Sequence, residues 1–94
     1  MPKLSDSELA AALQSLPGWE VEHGQLTKTF EFDSYLAGIE FARMCAEYAE
    51  KVDHHPDLLI MWRKVKVSLS THSEGGITEK DIESAKAYER INQG

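Results

Sequence analysis

Cysteine is almost missing from these 94 residues: Cys45 stands alone, so no internal disulfide can form and no cysteine pair can anchor a zinc site. Set among apolar helix positions, it reads as a small core residue rather than a nucleophile. Long apolar runs are missing too. Nothing approaches the ~18 consecutive apolar residues of a membrane span, and the opening Met-Pro-Lys-Leu-Ser-Asp lacks the uninterrupted apolar stretch of a signal peptide, so a cytoplasmic protein with no membrane association is expected. Basic charge is in deficit. Ten Lys and Arg against sixteen Asp and Glu leave a net charge of −6, which repels a phosphate backbone and argues against direct nucleic-acid binding. Arg63, Lys64 and Lys66 form the one compact basic feature and read as a solvated strand face.

Repeats, low-complexity tracts and internal linkers are also absent. A chain of this length is expected to form one domain, 1–94, without a separate regulatory or cofactor-binding module. Such a domain buries only ~60 to 65% of the surface its unfolded form exposes, so self-association would help to stabilise it. A homo-oligomer is the expected state.

What is present is a regular alternation of helix and strand signals. Ser5 to Glu8 reads as a capping box opening a helix with Leu9, Leu13 and Leu16 at helical spacing, stopped by Pro17-Gly18. Trp19 and Val21 alternate with Glu20 and Glu22, and His23-Gly24 offers a tight turn. Leu26, Lys28, Phe30 and Phe32 then alternate with Thr27, Thr29 and Glu31, completing a hairpin. Asp33 or Ser34 can cap a longer helix with an apolar stripe of Leu36, Ile39, Ala42, Cys45, Ala49 and Val52, ending by His55 because Pro56 disfavours helix before it. Leu58 to Trp62 reads as a buried strand. Val65, Val67, Leu69 and Thr71 alternate with Lys64, Lys66, Ser68 and Ser70, the even positions facing away from the core. Gly75-Gly76 breaks the chain, and Thr78 to Asp81 repeats the capping box before a helix carrying Ile82, Ala85, Tyr88 and Ile91. The order αββαββα, without long crossovers, predicts an α+β fold: a four-stranded antiparallel sheet with three helices packed on one face.

Against this frame stand three histidines, His54, His55 and His72, with Glu50 before them and Asp81 after. Imidazole ordinarily titrates near ~6.5, so such a set can supply both an acid and a base near neutrality. His54, His55, His72 and Asp81 fall at element ends, where reactive groups sit on a rigid scaffold. His72 also continues the outward series of the last strand and would lie on the open face. Each has a simpler reading: His54 as an imidazolium favoured by a helix C-terminus, Asp81 as the reciprocal partner of Thr78 in its cap, and His23 as a turn residue. A zinc site is the rival for the group. Adjacent histidines in an extended His-His-Pro segment diverge, whereas zinc pairs need spacings that return both rings to one side, so no metal is expected.

The pattern resembles the pterin-4a-carbinolamine dehydratases. Their signature is an acidic residue, three positions, His-His-Pro, five positions, an aromatic, nine positions, a histidine, and then an aspartate. Glu50, His54-His55-Pro56, Trp62, His72 and Asp81 fill it. Leu16-Pro-Gly-Trp19 is similar to the family's N-terminal segment, and Ser70-Thr71-His72 with Gly75-Gly76 to its strand-to-helix loop, so the resemblance covers nearly the whole chain. Arg63-Lys64 departs from it, because many relatives carry an asparagine after the aromatic, suited to a tight turn.

The resemblance implies loss of water from a 4a-hydroxytetrahydropterin to give a quinonoid dihydropterin, supporting cofactor recycling of the tetrahydrobiopterin type. The reaction requires no nucleophile, metal or redox cofactor. It also implies His54, His55, His72 and Asp81 as catalytic residues. His54 and His72 would be the proton-transfer pair, His55 a binding residue, and Asp81 a partner that orients or charge-balances an imidazole. Trp19, Glu50, Pro56, Thr71 and Ser73 would line the substrate pocket. Relatives form dimers and tetramers, so a homodimer or homotetramer is implied. In animals the family also includes a protein that stabilises dimers of a homeodomain transcription factor, which makes a protein-binding role the second reading.

Overall fold

Helix starts in this chain are written by hydroxyl residues that accept orphan backbone N–H groups. In the computed structural model, which describes residues 2–94, Ser5 opens α1 (Asp6–Leu13) with a complete capping box to Glu8. Ser34, rather than Asp33, caps α2 (Tyr35–Val52) by accepting from the Ala37 N–H. Thr78 and Asp81 form the second capping box, opening α3 (Glu79–Gln93).

Between them run β1 (Glu20–Glu22), β2 (Gln25–Glu31), β3 (Asp57–Met61) and β4 (Lys64–Leu69). All neighbours pair antiparallel, in the order β1-β2-β4-β3. The element order is therefore αββαββα, with a single 3₁₀ turn, His72–Glu74, inserted before α3. His23 and Gly24 both take positive φ (50° and 77°), which is what a two-residue hairpin between right-twisted strands requires. The β3–β4 turn manages without that conformation: Trp62 and Arg63 connect Met61 to its partner Lys64, and neither has positive φ. An asparagine is therefore not needed after the aromatic.

Register decides which face is buried. Leu26 pairs with Leu69, Phe30 with Val65 and Leu58 with Val67, all on one side, while Thr29 pairs with Lys66 and Glu31 with Lys64 on the other. The first side meets Phe41 and Cys45 of α2 and Ile82, Ala85 and Tyr88 of α3, with Leu9 and Leu13 of α1 at the margin of the same cluster. Phe30 and Phe41 stack with ring centroids 4.7 Å apart. Three helices on one face of an antiparallel sheet follow directly from the alternation in β2 and β4.

Three local expectations are corrected. The first helix ends at Leu13, so Leu16, although buried, belongs to the turn that follows. The α2 stripe is rotated: Gly38, Phe41, Ala42, Cys45 and Ala49 are buried, whereas Leu36 is 73% exposed and Val52 is largely exposed. A helix with apolar residues on two sides does not announce which side meets the sheet. Leu58 to Trp62 is not a buried strand. β3 ends at Met61 and lies at the sheet edge with Leu59 and Ile60 exposed; it has a strand neighbour only in β4, and of its apolar residues Leu58 packs against the core.

Candidate active site

The site is assembled where the C-terminus of α2, the end of β4 and the start of α3 converge. Asp53 ends α2 in the left-handed conformation, φ 52°, a geometry that aspartate tolerates better than most residues. The His54 N–H still reaches the Ala49 carbonyl at 3.1 Å. This turn sends the imidazole of His54 toward α3, where its Nε2 meets Asp81 Oδ1 at 2.6 Å. The His54 side chain is only 12% exposed and that of Asp81 not at all.

Asp81 is saturated on its other oxygen. Oδ2 accepts from the Thr78 backbone N–H and from the Thr71 hydroxyl, both at 2.9 Å, and the Thr71 and Thr78 hydroxyls lie 2.8 Å apart. An ionised carboxylate only accepts hydrogen bonds, so opposite it Nε2 of His54 is the donor, and in a neutral ring the lone pair then sits on Nδ1. Asp81 thus closes the Thr78 cap with one oxygen and contacts His54 with the other. Thr78, read from sequence only as a cap, gains a second role as a strut for this carboxylate.

Thr71 leads directly to His72. β4 stops at Leu69, so His72 does not continue the strand; instead Thr71 forms an isolated bridge with Gly76 and the 3₁₀ turn begins. Gly75, at φ 74°, closes that turn, which leaves His72 exposed. The chain from His54 through Asp81 and Thr71 to His72 is thus continuous: two side-chain hydrogen bonds and one peptide link.

The remaining predicted residues are not all gathered here. His55 diverges from His54, as an extended His-His pair should; its Nε2 contacts Glu50 Oε2, and both side chains are largely exposed. Pro56 is partly buried, Ser73 is exposed and Thr71 is buried within the network. Trp19 lies in the core. Its ring meets Phe30 edge-on at 5.9 Å and its Nε1–H donates to Glu89 at 2.8 Å.

Two cavities flank the network. One of about 180 Å³ is lined by His54 together with Tyr48 and Val52 of α2 and Lys80, Glu83 and Ser84 of α3. Sequence reading passed over Tyr48, Lys80, Glu83 and Ser84 and took Val52 only as part of the apolar stripe, although Tyr48 and Val52, and Lys80 and Ser84, are i,i+4 pairs that share a helix face. Tyr48 is braced edge-on against buried Tyr88 at 5.7 Å. The other, about 300 Å³, is bordered by His72, Ser70, Gln25 and His23. His23 had been read as a turn residue only; its hairpin register across the sheet was the missing signal. Among the described residues no three His, Cys, Asp or Glu side chains are grouped so as to hold a metal ion.

Residues 2–91 match the family model described as pterin 4 alpha carbinolamine dehydratase. The chain belongs to that family. It is 51% identical to a provisionally named pterin-4-alpha-carbinolamine dehydratase of Mycobacteroides abscessus over 95% of both chains. It is 44% identical to one of Sulfolobus acidocaldarius, over 95% of this chain and 98% of that one. Its fold matches the crystal structure of a protein described as a transcriptional coactivator/pterin dehydratase from Brucella melitensis, with TM-score 0.90, 38% identity and coverage of 95% and 97%. A pterin dehydratase-like RuBisCO assembly factor of the alpha-carboxysome shares the fold at 22% identity and TM-score 0.63.

Proposed function

We propose that this dehydratase-family chain removes water from a 4a-hydroxytetrahydropterin to give the quinonoid dihydropterin, with His54 and His72 as the proton-transfer pair. The observation that carries the reading is the buried Asp81, which holds His54 by Nε2 and anchors, through Thr71, the loop that presents His72. In the reaction the C4a–O bond breaks as a proton reaches the leaving hydroxyl, and the N5 proton is lost as its electron pair forms the C4a=N5 bond. Water is the only other product, so no redox partner or metal is called on. Nδ1 of His54, freed by the Asp81 contact, can take or give a proton at one end of this exchange, and the exposed imidazole of His72 at the other. Each transfer by a positioned side chain contributes ~10² to 10⁴ in rate. His55, with Glu50, is read as a substrate contact, and Pro56, Thr71 and Ser73 as pocket residues. Trp19, buried against Phe30, is left to support the core.

The test is direct: purified protein is mixed with freshly generated 4a-hydroxytetrahydropterin and the loss of its ultraviolet absorbance is followed. Acceleration over the spontaneous reaction supports the reading, and no acceleration rejects it. We further read the protein as a cytoplasmic homodimer or homotetramer serving tetrahydrobiopterin-type recycling. Exposed Leu36, Leu59 and Trp62 offer apolar surface for self-contact.

A second reading, as a protein-binding module, is favoured by the coactivator description attached to the Brucella melitensis relative. The same assay discriminates: a binding module alone would leave the carbinolamine to decay at its spontaneous rate.

A further inference from the structure

The cavity on the His72 side contains a histidine that no part of the family signature includes. His23 sits at the tip of the β1–β2 hairpin, and β2 pairs with β4, whose end leads to Ser70 and His72. The hairpin tip and the β4–α3 loop therefore form opposing walls of the about 300 Å³ cavity. Three of its lining residues are glycines, Gly24, Gly75 and Gly76, and two of these are in open space: a Cβ added at Gly24 or Gly75 would meet no atom within 4 Å. The chemistry of the cavity accordingly comes from His23, His72, Gln25 and Ser70, all hydrogen-bonding groups, with no carboxylate or aliphatic side chain among the lining residues. The same glycines border a second cavity of about 190 Å³ lined by Lys3, Asp6, Leu4, Leu9, Val21 and Ile77, so the polar groove at His72 shares its glycine wall with a more apolar neighbour.

Substrate connectivity says what would enter it. In a pterin, C6 is bonded to N5, the atom that loses a proton in the dehydration. A substituent on C6 therefore leaves the ring from beside the reacting edge that His72 attends. On the dehydratase reading above, we propose that this groove receives the C6 substituent and that His23 is a specificity-determining residue, its imidazole hydrogen-bonding a hydroxyl of that substituent. A ligand with a bare methyl at C6 makes no use of His23; one with a hydroxylated side chain does.

Because His23 has positive φ, glycine is the replacement that deletes the imidazole while keeping the turn, and asparagine the one that keeps a polar group in the same backbone geometry. Dissociation constants of 6-methyl and 6-dihydroxypropyl 7,8-dihydropterin are measured by calorimetry for the native protein, His23→Gly and His23→Asn, beside turnover of the matching carbinolamines. The preference for the hydroxylated ligand is expected to fall about 5- to 10-fold in His23→Gly, the value of one neutral hydrogen bond, and to be partly restored in His23→Asn. A preference unchanged within about twofold in His23→Gly overturns the assignment while native turnover still stands. Native binding without turnover overturns the dehydratase reading and leaves the His23 preference measurable. No binding of either ligand by the native protein overturns both.

Discussion

At the scale of the residue, one carboxylate accounts for most of the site's order. Asp81 is fully buried yet every acceptor position that the structure uses is matched: Nε2–H of His54 on Oδ1, and the Thr71 hydroxyl and Thr78 N–H on Oδ2. Burying a polar group costs little when it is hydrogen-bonded and much when a partner is removed. Asp81→Asn presents an amide N–H₂ where one of these donors now points. It should lower stability by roughly 1–3 kcal/mol in urea unfolding, and lower kcat because His54 loses the contact that fixes its tautomer. His54→Ala should lower kcat by ~10² to 10⁴ with a smaller change in KM; an unchanged kcat would remove His54 from the proton-transfer pair.

At the scale of the element, the rotation of α2 is the feature with most consequence. Its buried stripe runs through Gly38, Phe41, Cys45 and Ala49, and Gly38 allows close approach: a Cβ there would meet Val65 Cγ2 at 3.3 Å. Phe41 contacts both Phe30 and Phe32, so Phe41→Ala should cost about 3–5 kcal/mol in chemical denaturation. Cys45, fully buried on the same stripe, has its thiol pushed up to about 12 by burial. The unfolded chain therefore ionises Cys45 at a lower pH than the folded one. The stability held by the neutral thiol is present below the ordinary thiol range and is lost as pH rises from there toward about 12. At pH 8 native protein should resist alkylation at Cys45 that unfolded protein undergoes readily, as intact-mass measurement will show. The long α2 also explains why His54 and His55 part company. A left-handed Asp53 turns the first imidazole inward, and the extended step to Pro56 turns the second out.

At the scale of the whole molecule, helices cover one sheet face and leave edges and surface apolar groups without partners. β1 and β3 are both edge strands, and Trp62, with the Arg63 guanidinium 5.1 Å from its ring centroid, is 73% exposed. An open edge beside apolar surface favours association. Sedimentation should find a dimer or tetramer, and the unfolding midpoint should rise with protein concentration; a monomer with a concentration-independent midpoint would refute the oligomer.

Chemical identity along the chain was enough to reveal the helices, strands and their order, because capping boxes and period-two alternation are local signals. It was enough, too, for the Glu50, His-His-Pro, His72 and Asp81 pattern that places the chain in its family. Which face of α2 is buried, that β3 is an edge, and that His54 turns to Asp81 depended on how distant elements dock. So did the placing of His23 and His72 on one cavity. His54 and Asp81 are 27 positions apart and the two histidines of that cavity 49, and spacing carries no record of such pairings, since only the register of the sheet and the packing of α3 place those residues together.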